Sequence, residues 1–224
     1  MLSGPIVRAK TGAPKQLVVF LHGYGDSGDG LIGLAPYFSA DLPDAMFIAP
    51  HGPHPCEMGG PGDMGARQWF SLAGWQPGLP WPDEIWPEMV SHGKMLNHWL
   101  DDRLTEYNLT PQQLALVGFS QGTIMSLYCA PRREQPIAGM VGFSGALVQP
   151  QKLAAEIISR PPVLLVHGEM DTIVSFSEMA IAEKTLKANQ VPVQTLARPH
   201  LPHGIDDEGI MAATQFLAAQ FSID

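Results

Sequence analysis

Apolar residues along this chain gather into short, mostly unbroken runs instead of alternating with polar ones. The runs cover residues 17–21, 45–49, 114–117, 137–143, 163–166 and 191–196, with Leu17-Val18-Val19-Phe20-Leu21 the clearest. A strand that is apolar at successive positions buries both its faces, as strands do inside a mainly parallel sheet. Between the runs lie longer stretches with apolar residues at helical spacing: 31–39, 83–106, 121–130, 152–159, 176–188 and 207–221. In the longest of these, Ile85, Met89, His92, Leu96, Trp99 and Leu100 share one helix face and read mostly as core contacts. Strand–helix alternation of this kind predicts an α/β fold, a mostly parallel central sheet with helices on both faces. No repeat, charge block or linker interrupts it, so residues 1–224 read as a single domain.

One stretch, 51–82, breaks the alternation. It is rich in Gly and Pro, yet it carries Trp69, Phe70, Trp75 and Trp81. An ordered loop of that length is unusual in a compact domain and often functional. It reads equally well as cover for an apolar edge and as part of a binding surface.

Composition narrows the partners. Of 224 residues 45% are apolar and 16% charged, which is the balance of a chain that buries a core. The net charge of −9 argues against a nucleic-acid surface, which needs a basic stripe, and it disfavours an anionic membrane surface. The apolar runs are strand-sized, too short for stable membrane insertion. Residues 1–16 hold no apolar h-region, which reads as no secretory signal. Nothing demands a disulfide between Cys56 and Cys129, and Cys129 in an apolar helical stretch reads as a small hydrophobe. The expectation is a soluble cytoplasmic protein acting on a neutral or weakly charged small molecule.

The sharpest chemical signal is Gly118-Phe119-Ser120-Gln121-Gly122, placed between a predicted strand and a predicted helix. That is the setting a G-x-S-x-G nucleophile elbow needs: a turn so tight that the serine backbone is strained and flanking side chains are excluded. The helix that follows presents N–H groups and a positive dipole where an oxyanion forms. Gly142-Phe143-Ser144-Gly145-Ala146 also follows a strand, but it lacks the second glycine and no helix begins there, so it reads as a strand end bordering the pocket. A serine hydroxyl needs a base, and the base needs an orienting acid, in chain order serine, acid, histidine. Asp171 follows the predicted strand 163–166 and is favoured over Glu169, which sits earlier in the turn. His203 precedes the last helix and is favoured over His200. The loop Leu21-His22-Gly23-Tyr24-Gly25-Asp26 is placed to offer the Tyr24 backbone N–H as the second oxyanion donor. Metal readings are weak: Pro202 prevents helical presentation of His200 and His203, prolines interrupt His51, His54 and Cys56, and His92 and His98 read as structural or solvated.

Together Leu21-His22-Gly23-Tyr24-Gly25-Asp26, Gly118-Phe119-Ser120-Gln121-Gly122, His167-Gly168-Glu169-Met170-Asp171 and the late His203 resemble the phospholipase/carboxylesterase family of α/β hydrolases, which includes bacterial carboxylesterases and acyl-protein thioesterases. The resemblance spans nearly the whole chain in the right order. It implies an α/β-hydrolase fold, a catalytic triad of Ser120, Asp171 and His203, and an oxyanion hole from the N–H groups of Tyr24 and Gln121. Pro50-His51-Gly52 and Trp69-Phe70 also look like family positions, Trp69 and Phe70 as substrate-binding residues beside the active site. It implies a small or lipid-like ester substrate and no metal or organic cofactor, and a homodimer would be in keeping with it. Residues 53–82 depart from the family pattern. The expected activity is carboxylic ester hydrolysis. The alternatives are an acyl thioesterase or lysophospholipase with the same triad and, from another class, a non-catalytic binding protein; a dienelactone-type hydrolase would carry cysteine at position 120.

Overall fold

The computed structural model describes residues 2–58 and 65–222. The predicted runs become β2 (Gln16–Leu21), β3 (Ala45–Ile48), β6 (Leu114–Phe119), β7 (Gly139–Phe143), β8 (Val163–Gly168) and β9 (Val193–Arg198), joined by an edge strand β1 (Ile6–Val7). They form one sheet in the order β1-β3-β2-β6-β7-β8-β9, parallel throughout except for β1. Two residues carry no periodic signal, so β1 was not legible in the sequence.

The unbroken apolar runs have the expected cause: each face of the sheet carries its own core. Leu17, Val19 and Leu21 of β2, with Leu114 and Leu116 of β6, face α3 (Ile85–Tyr107), α4 (Gln121–Cys129), α5 (Leu153–Glu156) and α6 (Ser177–Ala188). Val18, Phe20, Ala115 and Val117 face α1 (Gly28–Leu31), α2 (Ala35–Phe38) and α7 (Asp207–Phe221). The helix expected over 31–39 is broken into α1, a 3₁₀ turn and α2, in a segment carrying Gly28, Gly30, Gly33 and Pro36. The one expected over 152–159 is cut to α5, because the N–H groups of Ile158 and Ser159 turn to the Pro131 carbonyl at 2.8 and 3.0 Å.

Parallel pairing brings the carboxyl ends of the strands to one edge. Leu21 pairs with Gly118, Phe119 with Phe143, Phe143 with Val166 and Gly168 with Arg198. The loops that leave these ends gather the residues on which the sequence placed chemistry, at the edge where α/β sheets bind ligands. Over it folds the stretch 51–82, of which residues 59–64 lie outside the described residues. It contains a two-stranded ladder, β4 (His54–Pro55) with β5 (Arg67–Gln68).

Candidate active site

Ser120 takes φ 51° and ψ −114°, a region that a residue with a Cβ rarely enters. Its N–H donates to the Phe143 carbonyl at 2.9 Å, which ties the turn to the neighbouring strand end. The flanking glycines are dictated by contact. A Cβ on Gly122 would sit 1.8 Å from the Leu21 carbonyl oxygen, and one on Gly118 would sit 2.5 Å from the Gly122 backbone. Thr123 reinforces the turn, its hydroxyl lying 2.8 Å from the carbonyls of both Gly118 and Phe143.

Asp171 and His203 meet across 32 residues of sequence. The His203 Nδ1–H donates to Asp171 Oδ2 at 2.7 Å, leaving Nε2 as the nitrogen open to proton transfer. The other carboxylate oxygen accepts the N–H groups of Ile173 and Val174, both at 2.9 Å. His167, buried at the end of β8, places Nε2 3.2 Å from Asp171 Oδ2 and 3.0 Å from the Val174 carbonyl. Burial alone would push the Asp171 carboxyl up. The hydrogen bonds from His167 and His203, the latter's charge and the Ile173 N–H outweigh it and hold the acid well below the usual carboxylate range. The loop bearing His203 is laced to its neighbours: Met170 N–H donates to the Leu201 carbonyl at 3.0 Å, and the Ser144 hydroxyl to the Gly204 carbonyl at 3.2 Å. The side chains of His200 and Glu169 are both exposed and take no part in this network. Ser144 is buried and sits under the His203 loop, not at the cleft.

The loop after β2 is organised by a residue the sequence did not single out. His22 is fully buried; its Nδ1–H donates to the Gly23 carbonyl at 2.7 Å, and its Nε2 accepts the Gly52 N–H at 2.8 Å. Burial pushes its pKa down, so the ring is held neutral with one tautomer fixed by two partners. Gly25 N–H donates to the Arg67 carbonyl at 3.0 Å, and Arg67 N–H to the Asp26 carbonyl at 2.8 Å, so β5 holds the far side of the same loop. The N–H groups of Tyr24 and Gln121 donate to no acceptor among the described residues.

These elements surround a cleft of about 310 Å³ whose lining includes Tyr24, Leu72, Trp75, Trp81, Ser120 and His203. Trp75 and Trp81 stack at 4.6 Å between ring centres. Trp69 and Phe70, expected at the substrate, are instead fully buried and do not line the cleft. They act from behind it. The Gln121 side chain accepts the Trp69 N–H and donates to the Phe70 carbonyl, both at 2.7 Å, while the Trp69 indole donates to the His22 carbonyl at 3.0 Å. One side chain thus fastens the aromatic stretch to the elbow. His51 and His54, weighed as metal ligands with Cys56, do not come together. His51 accepts the Gly28 N–H, whereas His54 stands 3.2 Å from His92. Cys56 and Cys129 are free thiols, and burial pushes Cys129 up to about 12.

Residues 2–221 match the sequence model of the family described as phospholipase/carboxylesterase. The chain belongs to the phospholipase/carboxylesterase family. The crystal structure of esterase PE8 superposes with a TM-score of 0.89 at 36% identity, over 97% of this chain and 98% of that one. Among curated relatives, the chain is 29% identical to acyl-protein thioesterase 1 of Saccharomyces cerevisiae, over 77% of this chain and 78% of that protein. It is 24% identical to esterase YpfH of Escherichia coli, over 95% and 86% of the two chains. The fold is that of the α/β-hydrolase esterases, and the protein is a hydrolase of the carboxylesterase family. Among the described residues no helix is long and apolar enough to cross a membrane.

Proposed function

We propose that the protein hydrolyses carboxylic esters in two acyl-transfer steps, with Ser120 as nucleophile, His203 as general base and acid, and Asp171 as the orienting carboxylate. The observation that carries this reading is the 2.7 Å Asp171–His203 pair on the cleft that also exposes the strained Ser120. His203 Nε2 takes the Ser120 proton as Oγ attacks the ester carbonyl. The N–H groups of Tyr24 and Gln121, uncommitted beside the nucleophile, are the donors for the oxyanion. His203 then protonates the leaving alcohol, and water attacks the acyl-enzyme by the same route. The ionised Asp171 keeps the imidazole in its working tautomer and stabilises the imidazolium.

The apolar lining of Leu72, Trp75, Trp81, Ile124 and Val174 suits the acyl part of the substrate. The volume lies at the small end of ligand pockets, which favours a compact acyl group. The test is a fluorophosphonate label on folded protein. Wild type takes up one label per chain and Ser120→Ala takes up none; stoichiometric labelling of the variant would refute the assignment. Kinship to an acyl-protein thioesterase supports a second reading, hydrolysis of acyl thioesters by the same triad. A chain-length series of nitrophenyl esters beside matching thioesters separates the two, and turnover of long-chain thioesters alone would reject the ester reading.

A further inference from the structure

His54, Glu88 and His92 converge on one point although they come from different elements. Glu88 and His92 lie four residues apart on one face of α3, and His54 reaches them from β4. The Nε2 atoms of the two histidines are 3.2 Å apart, and Glu88 Oε1 is 3.9 Å from His54 Nε2. One ligand atom from each residue lies within 4.8 Å of the others. Ligands at zinc–nitrogen and zinc–oxygen distances of about 2.0–2.1 Å in a tetrahedron stand about 3.3 Å apart, so the histidine pair is already at bonding separation.

The atoms not facing that point are occupied. His92 Nδ1–H donates to the Trp69 carbonyl at 2.7 Å, which fixes the tautomer with a lone pair on Nε2. Glu88 Oε2 accepts the Ser71 N–H at 2.9 Å, while Oε1 accepts no hydrogen bond among the described residues. Orientation of ligands through their far atoms is what metal sites use to hold imidazole and carboxylate in place. Here both orienting groups belong to one short segment, residues 69–71. Without metal, the His54 Nε2–H donates to His92 Nε2.

We propose that His54, Glu88 and His92 bind a divalent borderline metal ion, zinc by chemistry, with water completing the coordination. Two imidazoles and a carboxylate are a donor set zinc favours. On binding, the His54 proton moves from Nε2 to Nδ1 and both Nε2 lone pairs point to the ion. The site fastens β4 to α3 and backs the segment whose Trp69 N–H and Phe70 carbonyl are held by Gln121. Its role is to stiffen the wall of the cleft, not to take part in acyl transfer.

The test is calorimetric titration of chelator-treated protein with zinc chloride, followed by thermal melting of each zinc-loaded sample. Wild type and His203→Ala each gain a zinc with a rise in melting temperature. His54→Ala, a change at an exposed position, keeps its circular dichroism but binds that zinc at least about tenfold more weakly, and His92→Gln behaves alike. Absence of zinc binding by wild type at tenfold molar excess would overturn the proposal. So would uptake that survives in His54→Ala and vanishes in His203→Ala, which would place the ion on the catalytic histidine.

Discussion

Asparagine at position 171 keeps the shape of the side chain that meets His203 but removes the charge that stabilises an imidazolium and permits the wrong tautomer. Asp171→Asn is therefore expected to lower kcat by about 10⁴-fold, with little change in KM, measured on a short nitrophenyl ester. His22 makes a different prediction, on stability. Its folded pKa lies below the ordinary value of 6.5, so between those two values the unfolded chain takes a proton that the folded chain refuses. The linked stability is complete above pH 6.5 and drains as pH falls toward the folded value. Urea midpoints on either side of pH 6.5 should show this loss in wild type, and His22→Asn should lack it. Ser120, Asp171 and His203, the triad proposed above, could be singled out because each sits past a predicted strand in the order such chemistry requires, and the fold brings Asp171 to His203. His22 was not, although it stands inside a quoted motif. Its partner Gly52 is 30 residues away, and nothing local distinguishes a buried hydrogen-bonded histidine from an exposed one.

At the scale of elements, the join between the aromatic stretch and α4 rests on the Gln121 side chain. Gln121→Glu preserves the acceptor for Trp69 N–H but turns a donor into a second acceptor facing the Phe70 carbonyl. A buried carbonyl left without its donor costs about 1–3 kcal/mol. The variant should unfold at correspondingly lower urea and show a raised KM as Trp69 and Phe70 loosen behind the cleft; an unchanged urea midpoint would remove Gln121 from this role. The six main strands and the long helices were legible from apolar runs and helical spacing. The short elements were not: α5 stops where Pro131 captures two N–H groups, and the β4–β5 ladder pairs residues too few to leave a pattern. Trp69 and Phe70 show the same limit. Their aromatic character signalled burial against something, but core and substrate look alike in sequence.

Across the whole molecule the sheet separates two cores, and only one of them backs the elbow helix. Phe38 belongs to the other, fully buried and packed edge-on against Phe20 at 5.4 Å between ring centres. Phe38→Ala should cost about 3–5 kcal/mol of stability, read by urea denaturation, while the folded fraction keeps wild-type kcat/KM. The sequence by itself determined the alternation of strands and helices, the elbow turn and the chain order of Ser120, Asp171 and His203, because each depends on residues near one another in the chain or on their order along it. Tertiary structure alone decided that His22 holds Gly52, that Gln121 holds the aromatic segment, that Trp75 and Trp81 face the cleft while Trp69 and Phe70 do not, and that His54 meets His92. Those outcomes depend on distances between segments far apart in sequence, which parallel pairing and loop packing set only after the sheet has closed around its cores. Ser120 could be proposed from its five-residue pattern together with the strand before it and the helix after it; its surroundings required the fold.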